Sequence, residues 1–220
     1  MAKNLAARGG PAAIAALGSV GFDGRLVFPG GFELTYKETR SNAGAVRVDA
    51  ALQGLTLVQA YDGKSGWRIN PFQGRKDAER MSDDEARSIA DTGSIAGPLL
   101  SASKDGSTLT YLGREDFDGT DTYKIKVSQK DGDEFVYFLD PDSMLEVKMT
   151  ETRRIRGTQT VSEYEFGDYE AVGGVMFPMS VETGPPGASE RQRTIIAAGT
   201  ANAAAPASLF AQPASPAAVK

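Results

Sequence analysis

The segment TYKIKVSQKDGDEFVYFL, residues 122–139, decides the fold of this chain. Tyr123, Ile125 and Val127 alternate with polar residues, which is the two-residue period of a half-buried β-strand. An Asp-Gly pair then turns the chain, and the apolar run FVYFL returns. The segment is therefore predicted to form a β-hairpin.

The same period continues along the chain in both directions from this hairpin. Roughly five further strands are predicted before residue 71, and five or six between residues 107 and 198, so about eleven in all. One face of these strands is apolar and needs a covering layer, yet the chain offers only short helices. We predict a mainly β protein with a single curved antiparallel sheet wrapped over those helices, leaving an apolar cavity.

Three short helical segments complete the prediction. Two are expected within residues 2–17, separated by a glycine pair, and a third begins with the capping box formed by Ser82 and Glu85. Residues 72–104 interrupt the strand rhythm and contain hinge-like glycines. We predict that this segment is a mobile lid over the cavity, with Ile89, Leu99 and Leu100 facing inward.

Length and charge bound the class of protein. The 220 residues are expected to form one domain over residues 1–212 and a disordered Ala/Pro-rich tail at 213–220. A net charge of −5 and a pI near 4.9 argue against a nucleic-acid partner. The basic runs at 153–156 and 191–193 are predicted to be solvated strand ends. No apolar stretch approaches the ~20 residues that a membrane-spanning helix needs.

The sequence contains neither histidine nor cysteine, which excludes the common catalytic triads, thiol nucleophiles and zinc sites. The aspartates near 116–121, 131–133 and 140–142 flank predicted turns, where they serve turn geometry. We therefore expect no enzyme activity, no metal site and no cofactor. A hydrolase that uses carboxylates stays open as a weak alternative.

Strand parity predicts which side chains line the concave face of the sheet, because successive residues point to opposite faces. With the three lid residues, they form the predicted lipid-binding set. The strand members of the set are Phe22, Leu34, Val48, Leu57, Trp67, Tyr123, Val127, Tyr137, Val147 and Phe177.

Several short motifs, in this order, resemble one known family. They are YDGKSGWRINPF at 61–72, MSDDEA at 81–86, YFLDP at 137–141, LEVK at 145–148 and GVMFP at 174–178. Together with two N-terminal helices ahead of the strands, this order is similar to that of the periplasmic outer-membrane lipoprotein-sorting proteins, the LolA-like family. The resemblance covers about residues 3–212, and the chain looks like a divergent member.

The resemblance implies an unclosed half-barrel of about eleven strands with helices in its mouth. It also implies a non-enzymatic periplasmic carrier or chaperone, in mature form without its signal peptide, that shelters acyl chains of lipoproteins or a related lipid. Such a carrier receives its cargo from an inner-membrane donor complex and passes it to an outer-membrane acceptor. Arg40 matches the arginine that ties down the helical lid, and we expect a monomer.

An alternative from another class is a structural or signalling domain of the cell envelope with the same fold and a filled core. The two hypotheses differ in one structural property. A carrier contains an accessible apolar cavity under its helices, whereas a filled domain does not.

Overall fold

The computed structural model describes residues 1–214, which form one antiparallel sheet of thirteen strands and five short α-helices. The predicted mainly β architecture is confirmed, with more strands than expected. One of the two additional strands, Glu79–Arg80, has only two residues, too few to carry a period. The strands are β1 Ser19–Val27, β2 Glu33–Ser41, β3 Val46–Leu52, β4 Leu55–Tyr61, β5 Gly66–Ile69, β6 Glu79–Arg80, β7 Thr108–Phe117, β8 Thr120–Ser128, β9 Glu134–Leu139, β10 Glu146–Ile155, β11 Thr158–Val172, β12 Val175–Gly184 and β13 Gln192–Ala201.

The helices lie at the two chain ends and in the middle. They are α1 Ala2–Ala7, α2 Gly10–Ala16, α3 Asp83–Gly93, α4 Gly97–Asp105 and α5 Ala207–Phe210, with a 3-10 turn at Pro71–Gln73. The predicted break between α1 and α2 is present, since Gly9 and Gly10 both have positive φ. The predicted capping box of Ser82 and Glu85 begins α3. None of the helices in residues 1–214 has the length and hydropathy needed to cross a bilayer.

The sheet consists of two meanders that meet at its centre. Strands β1 to β6 run outward to one edge, and β7 to β13 return from the other edge until β13 pairs with β1. The edge strands β6 and β7 do not pair with each other, so the sheet stays unclosed. The chain between these two edges is α3 and α4, which therefore cross from one edge of the sheet to the other over its concave face.

The deciding hairpin forms as its sequence predicts. Val127 pairs with Phe135 and Tyr123 with Leu139, so their side chains share one face. The turn closes with a hydrogen bond from the Gln129 amide to the Asp133 carbonyl, and Gly132 has φ +96°, which favours glycine. With Leu99 and Ala102 of α4, this face forms one cluster of the core.

A second cluster lies under the N-terminal helices. It joins Val20 and Phe22 of β1 to Phe177 of β12 and to Ile95 between α3 and α4. The Phe22 and Phe177 rings meet edge to face at 5.2 Å between centroids, a preferred aromatic geometry. Helices α1 and α2 thus close one side of the concave face, while α3 and α4 cover the rest.

Trp67 lies on the convex face, and its predicted place on the concave face is wrong. It pairs with Ala60 of β4, whereas its neighbour Arg68 pairs with Gln59 on the concave side. The C-terminal segment covers the indole, whose Nε1 donates to the Phe210 carbonyl at 2.7 Å. The short helix α5 thus docks against the sheet, and it provides the burial that makes Trp67 part of a small convex core.

The predicted disordered tail at 213–220 falls mostly on residues 215–220, which lie outside the described residues. Residues 213 and 214 belong to no helix or strand.

Helix α3 approaches the sheet very closely at its last residue, Gly93. A Cβ atom there would lie 2.3 Å from Cβ of Val46 on β3, well inside the distance of ordinary contact. Glycine is therefore needed at this position for the helix to reach the sheet, and not for backbone freedom, because its φ is negative.

We expect Gly93→Ala to lower the free energy of unfolding by about 1–3 kcal/mol, because the added methyl overpacks the contact with Val46. Urea denaturation measures the change. Gly167→Ala is the matched control, since a Cβ there meets its nearest atom at 3.9 Å and leaves stability nearly unchanged. Equal effects of the two substitutions would show that α3 does not rest tightly on β3.

Candidate functional site

A cavity of about 240 Å³ lies between the concave face of the sheet and the helices. Its walls come from β1, β2 and β9 to β13, and its roof from the end of α3 and the start of α4. We call it the first cavity. Its aromatic residues are Phe22, Tyr36, Phe135, Tyr137, Tyr164, Phe166, Tyr169 and Phe177.

A second cavity of about 350 Å³ lies between α3 and strands β2 to β5. Val46 and Ile89 provide apolar wall, and Gln59 and Ser88 provide polar wall. Glu38 of β2 and Thr92 of α3 line both cavities. These two residues therefore stand between the cavities.

The predicted lipid-binding residues are distributed over several places in the structure. Four of them line the first cavity: Phe22, Leu99, Tyr137 and Phe177. Val48 and Ile89 line the second cavity. Leu34, Leu57, Tyr123 and Val127 lie on the concave face but within packed clusters beside the cavities.

Two other members of the predicted set do not line either cavity. A β-bulge between Glu146 and Lys148 breaks the parity at Val147, and Glu146 lines the first cavity instead. Leu100 is half-buried next to Leu99. Consecutive residues of a helix point about 100° apart, and here Leu99 takes the inward position while Leu100 lies beside it.

Arg40 does not act as the predicted lid latch. Its Nε and Nη2 donate to the two carboxylate oxygens of Glu38 at 2.8 and 3.1 Å, and no hydrogen bond joins it to a helix within residues 1–214. Glu38 lies two residues earlier on the same face of β2 and accepts both of these hydrogen bonds. The Tyr36 hydroxyl also donates to Glu38 at 2.7 Å, and burial raises the Tyr36 pKa well above its usual value.

Arg153 instead makes the contact between the sheet and α3. This guanidinium is almost fully buried and donates to Asp91 of α3 at 2.8 Å, and to Glu151 and Asp133 at 2.5 Å each. Burial raises the pKa of Asp91, although Arg153 opposes that shift. Gln129 of the deciding hairpin also donates to Asp91 at 3.3 Å.

The other end of α3 is held by Glu85. Arg68 of β5 and Arg156 after β10 each approach its carboxylate at 3.1 Å, so α3 is joined to both halves of the sheet. Burial alone would raise the pKa of Glu85, but hydrogen bonds from Ser82, Arg156 and Arg68 lower it to about 2. Glu85 is therefore ionised at neutral pH and keeps both ion pairs.

A second buried arginine, Arg8 at the end of α1, closes the opposite wall. It donates to the Met176 carbonyl at 2.9 Å, to Glu146 at 3.3 Å and to the Ile95 carbonyl at 3.4 Å. Tyr169 donates to Glu146 from the other side. The turn between α3 and α4 is thereby joined to the N-terminal segment.

Sequence reasoning missed these charged side chains. The prediction that residues 153–156 are a solvated strand end is wrong for Arg153, and Asp133 is a buried partner as well as a turn residue. Strand parity contained the signal, since Met149, Glu151 and Arg153 share one face of β10. No group of three acidic side chains in the described part of the chain is placed to hold a metal ion.

Comparison with known proteins shows likeness at the level of structure. No protein-family model matches the sequence, and no curated protein matches it. A LolA superfamily protein from Nitrosomonas europaea is similar in structure. The match covers 88% of this chain and 89% of that chain, with a TM-score of 0.60 and 14% sequence identity.

Two further solved structures are similar over almost the whole chain. A putative outer membrane lipoprotein-sorting protein domain from Vibrio parahaemolyticus covers 95% of both chains with a TM-score of 0.63 and 10% identity. A DUF1329 family protein from Desulfovibrio piger matches 96% of this chain and 95% of its own, with a TM-score of 0.56 and 11% identity. These likenesses confirm the resemblance in fold: the chain has the LolA fold with a strongly diverged sequence.

Proposed function

We propose that this protein is a non-enzymatic carrier that shelters an acyl chain of a lipoprotein or related lipid in the first cavity. The observation that carries the proposal is the first cavity itself, an aromatic-walled space under two short helices that are held to the sheet at separate points. A concave and largely apolar site with a few polar groups is the usual form of a small-molecule site. The LolA fold is consistent with this role.

The size of the first cavity defines what must happen on loading. Its volume of about 240 Å³ exceeds the ~150 Å³ of a cavity that binds benzene but lies below the ~300–1,000 Å³ of most ligand sites. It holds only part of a long acyl chain in this conformation. Loading therefore requires α3 and α4 to move away from the sheet.

The energetics of such a carrier are balanced between burial and lid opening. Each acyl methylene removed from water contributes about 0.8 kcal/mol. The ion pairs of Asp91 and Glu85 oppose opening, but charged groups are well solvated once exposed, so breaking them is not prohibitive. A ligand can then be retained and still be released.

We propose that the site catalyses nothing. Its carboxylates are engaged in structural pairs, Glu38 with Arg40, Glu146 with Arg8 and Glu151 with Arg153. The sequence offers no histidine or cysteine as an alternative. We further propose that the carrier acts in the periplasm between an inner-membrane donor and an outer-membrane acceptor, in line with the lipoprotein-sorting name of the Vibrio neighbour.

The alternative of an envelope domain with a filled core predicts no ligand binding. The presence of the first cavity favours the carrier, and a binding measurement with a cavity-filling variant tests it.

We expect Thr194→Phe to weaken binding of a fluorescent long-chain acyl probe about tenfold or more, because the ring would occupy part of the first cavity. Thr194 is half-buried on β13 and lines that cavity. Thr35→Phe is the matched control, since Thr35 is exposed and neighbours the inward-facing Tyr36 on β2. Far-UV circular dichroism checks folding. If no probe binds the wild-type protein, the filled domain is the better description.

We expect Asp91→Ala to speed amide hydrogen exchange in α3 by about tenfold, because it removes the acceptor of a buried charged hydrogen bond, a contact that contributes about 1.5–3 kcal/mol. The matched control is Arg87→Ala on the same helix. Arg87 and Asp131 form an exposed ion pair at 3.1 Å, whose loss changes stability by at most about 1 kcal/mol. Unchanged exchange in Asp91→Ala would mean that Arg153 does not hold the lid.

A further inference from the structure

Arg40 is the arginine of the first cavity with a guanidinium nitrogen that makes no hydrogen bond within residues 1–214. Three arginines line this cavity. All three guanidinium nitrogens of Arg8 and of Arg153 already donate to protein acceptors. Arg40 uses only Nε and Nη2, whereas its Nη1 has no partner within residues 1–214 and is not fully buried.

This free donor stands beside apolar surface. The Arg40 guanidinium carbon lies 5.3 Å from the centroid of the Phe22 ring, which lines the same cavity. An apolar chain packed against Phe22 lies beside this guanidinium, so a polar group at its end can reach it. The arrangement calls for a hydrogen-bond acceptor at the end of the ligand.

The charge of that acceptor is restricted by Glu38. This carboxylate is almost fully buried and accepts two hydrogen bonds from Arg40, so the positive charge of Arg40 is already compensated. The lining of the first cavity contains three arginines and four carboxylates, which is a net negative charge. Even with Asp91 protonated, the lining is neutral. An anionic ligand would be desolvated there without an uncompensated positive partner.

We propose that the first cavity selects a neutral acyl ester or amide over a free fatty acid, with the acyl carbonyl accepting a hydrogen bond from Arg40 Nη1. This inference rests on the proposed carrier function and specifies its ligand. A carbonyl oxygen satisfies the free donor without adding charge, and the chain beyond it lies along the aromatic wall that begins at Phe22.

The test compares two ligands of equal chain length, dodecanoate and methyl dodecanoate, below their aggregation limits at neutral pH. Each displaces the fluorescent acyl probe from the wild-type protein. We expect the ester to bind about tenfold or more tightly than the carboxylate, since each tenfold step is 1.4 kcal/mol of binding free energy. Equal affinity, or tighter binding of dodecanoate, overturns the inference.

Glu38→Gln sharpens the test because it leaves the charge of Arg40 uncompensated. We expect this variant to shift the preference toward dodecanoate by about tenfold or more. Asp49→Asn is the matched control. Asp49 holds Arg47 in the same geometry, with two contacts of 2.8 Å, but on the convex face, so its removal leaves the preference unchanged.

A double variant keeps the inference testable if Glu38→Gln does not fold. Glu38→Gln with Arg40→Met removes the ion pair without burying a charge, and it also removes the free donor. We expect its affinity for methyl dodecanoate to fall about tenfold, the loss of one hydrogen bond from a charged donor. Unchanged ester affinity overturns the inference. If neither ligand nor probe binds the wild-type protein, the carrier proposal itself fails.

Discussion

The structure depends on one constraint, that an open sheet of thirteen strands has its two edges joined by a single stretch of chain. Strands β6 and β7 are those edges, and only α3, α4 and short turns lie between them in sequence. These helices must therefore span the distance between the edges, and the packing of Ile95 and Leu99 places them on the concave face. The cavities exist because two short helices do not fill the space that the curved sheet encloses.

The contacts of this roof combine apolar packing with buried charge. Leu99 and Ile95 pack into the two main clusters, while Asp91 and Glu85 bind arginines of the sheet. A buried ion pair adds little net stability compared with apolar packing, but it defines one geometry. It also leaves groups that water solvates when the contact opens. A roof held in this way has a defined closed position, and the proposed carrier role would require it to open at moderate cost.

Local sequence patterns predicted the parts of the fold that depend on neighbours in sequence. The hairpin around residues 131–132, the capping box at Ser82 and the inward parity of most strands all follow from short-range rules. The failures involve partners that lie far away in sequence. Trp67 is buried by Phe210, 143 residues later, and no local pattern contains that contact. Arg153 points inward like Met149, as strand parity indicates. The general rule that charged residues are exposed predicted the opposite. The sequence does not reveal the exception because Asp91, which pairs with Arg153, belongs to a distant helix.

An outward movement of α3 would connect the two cavities. The first cavity is smaller than ordinary ligand sites, and the second has a lining of mixed polar and apolar residues. Glu38 on the sheet and Thr92 on α3 line both, so the barrier between them is formed partly by the helix that loading must displace. An outward shift of α3 would remove Thr92 from that barrier while Glu38 and Arg40 stayed on β2. The joined space would be larger than either cavity, with Glu38 and its partner Arg40 beside the junction, the aromatic walls of the first cavity on one side and Val48 and Ile89 on the other.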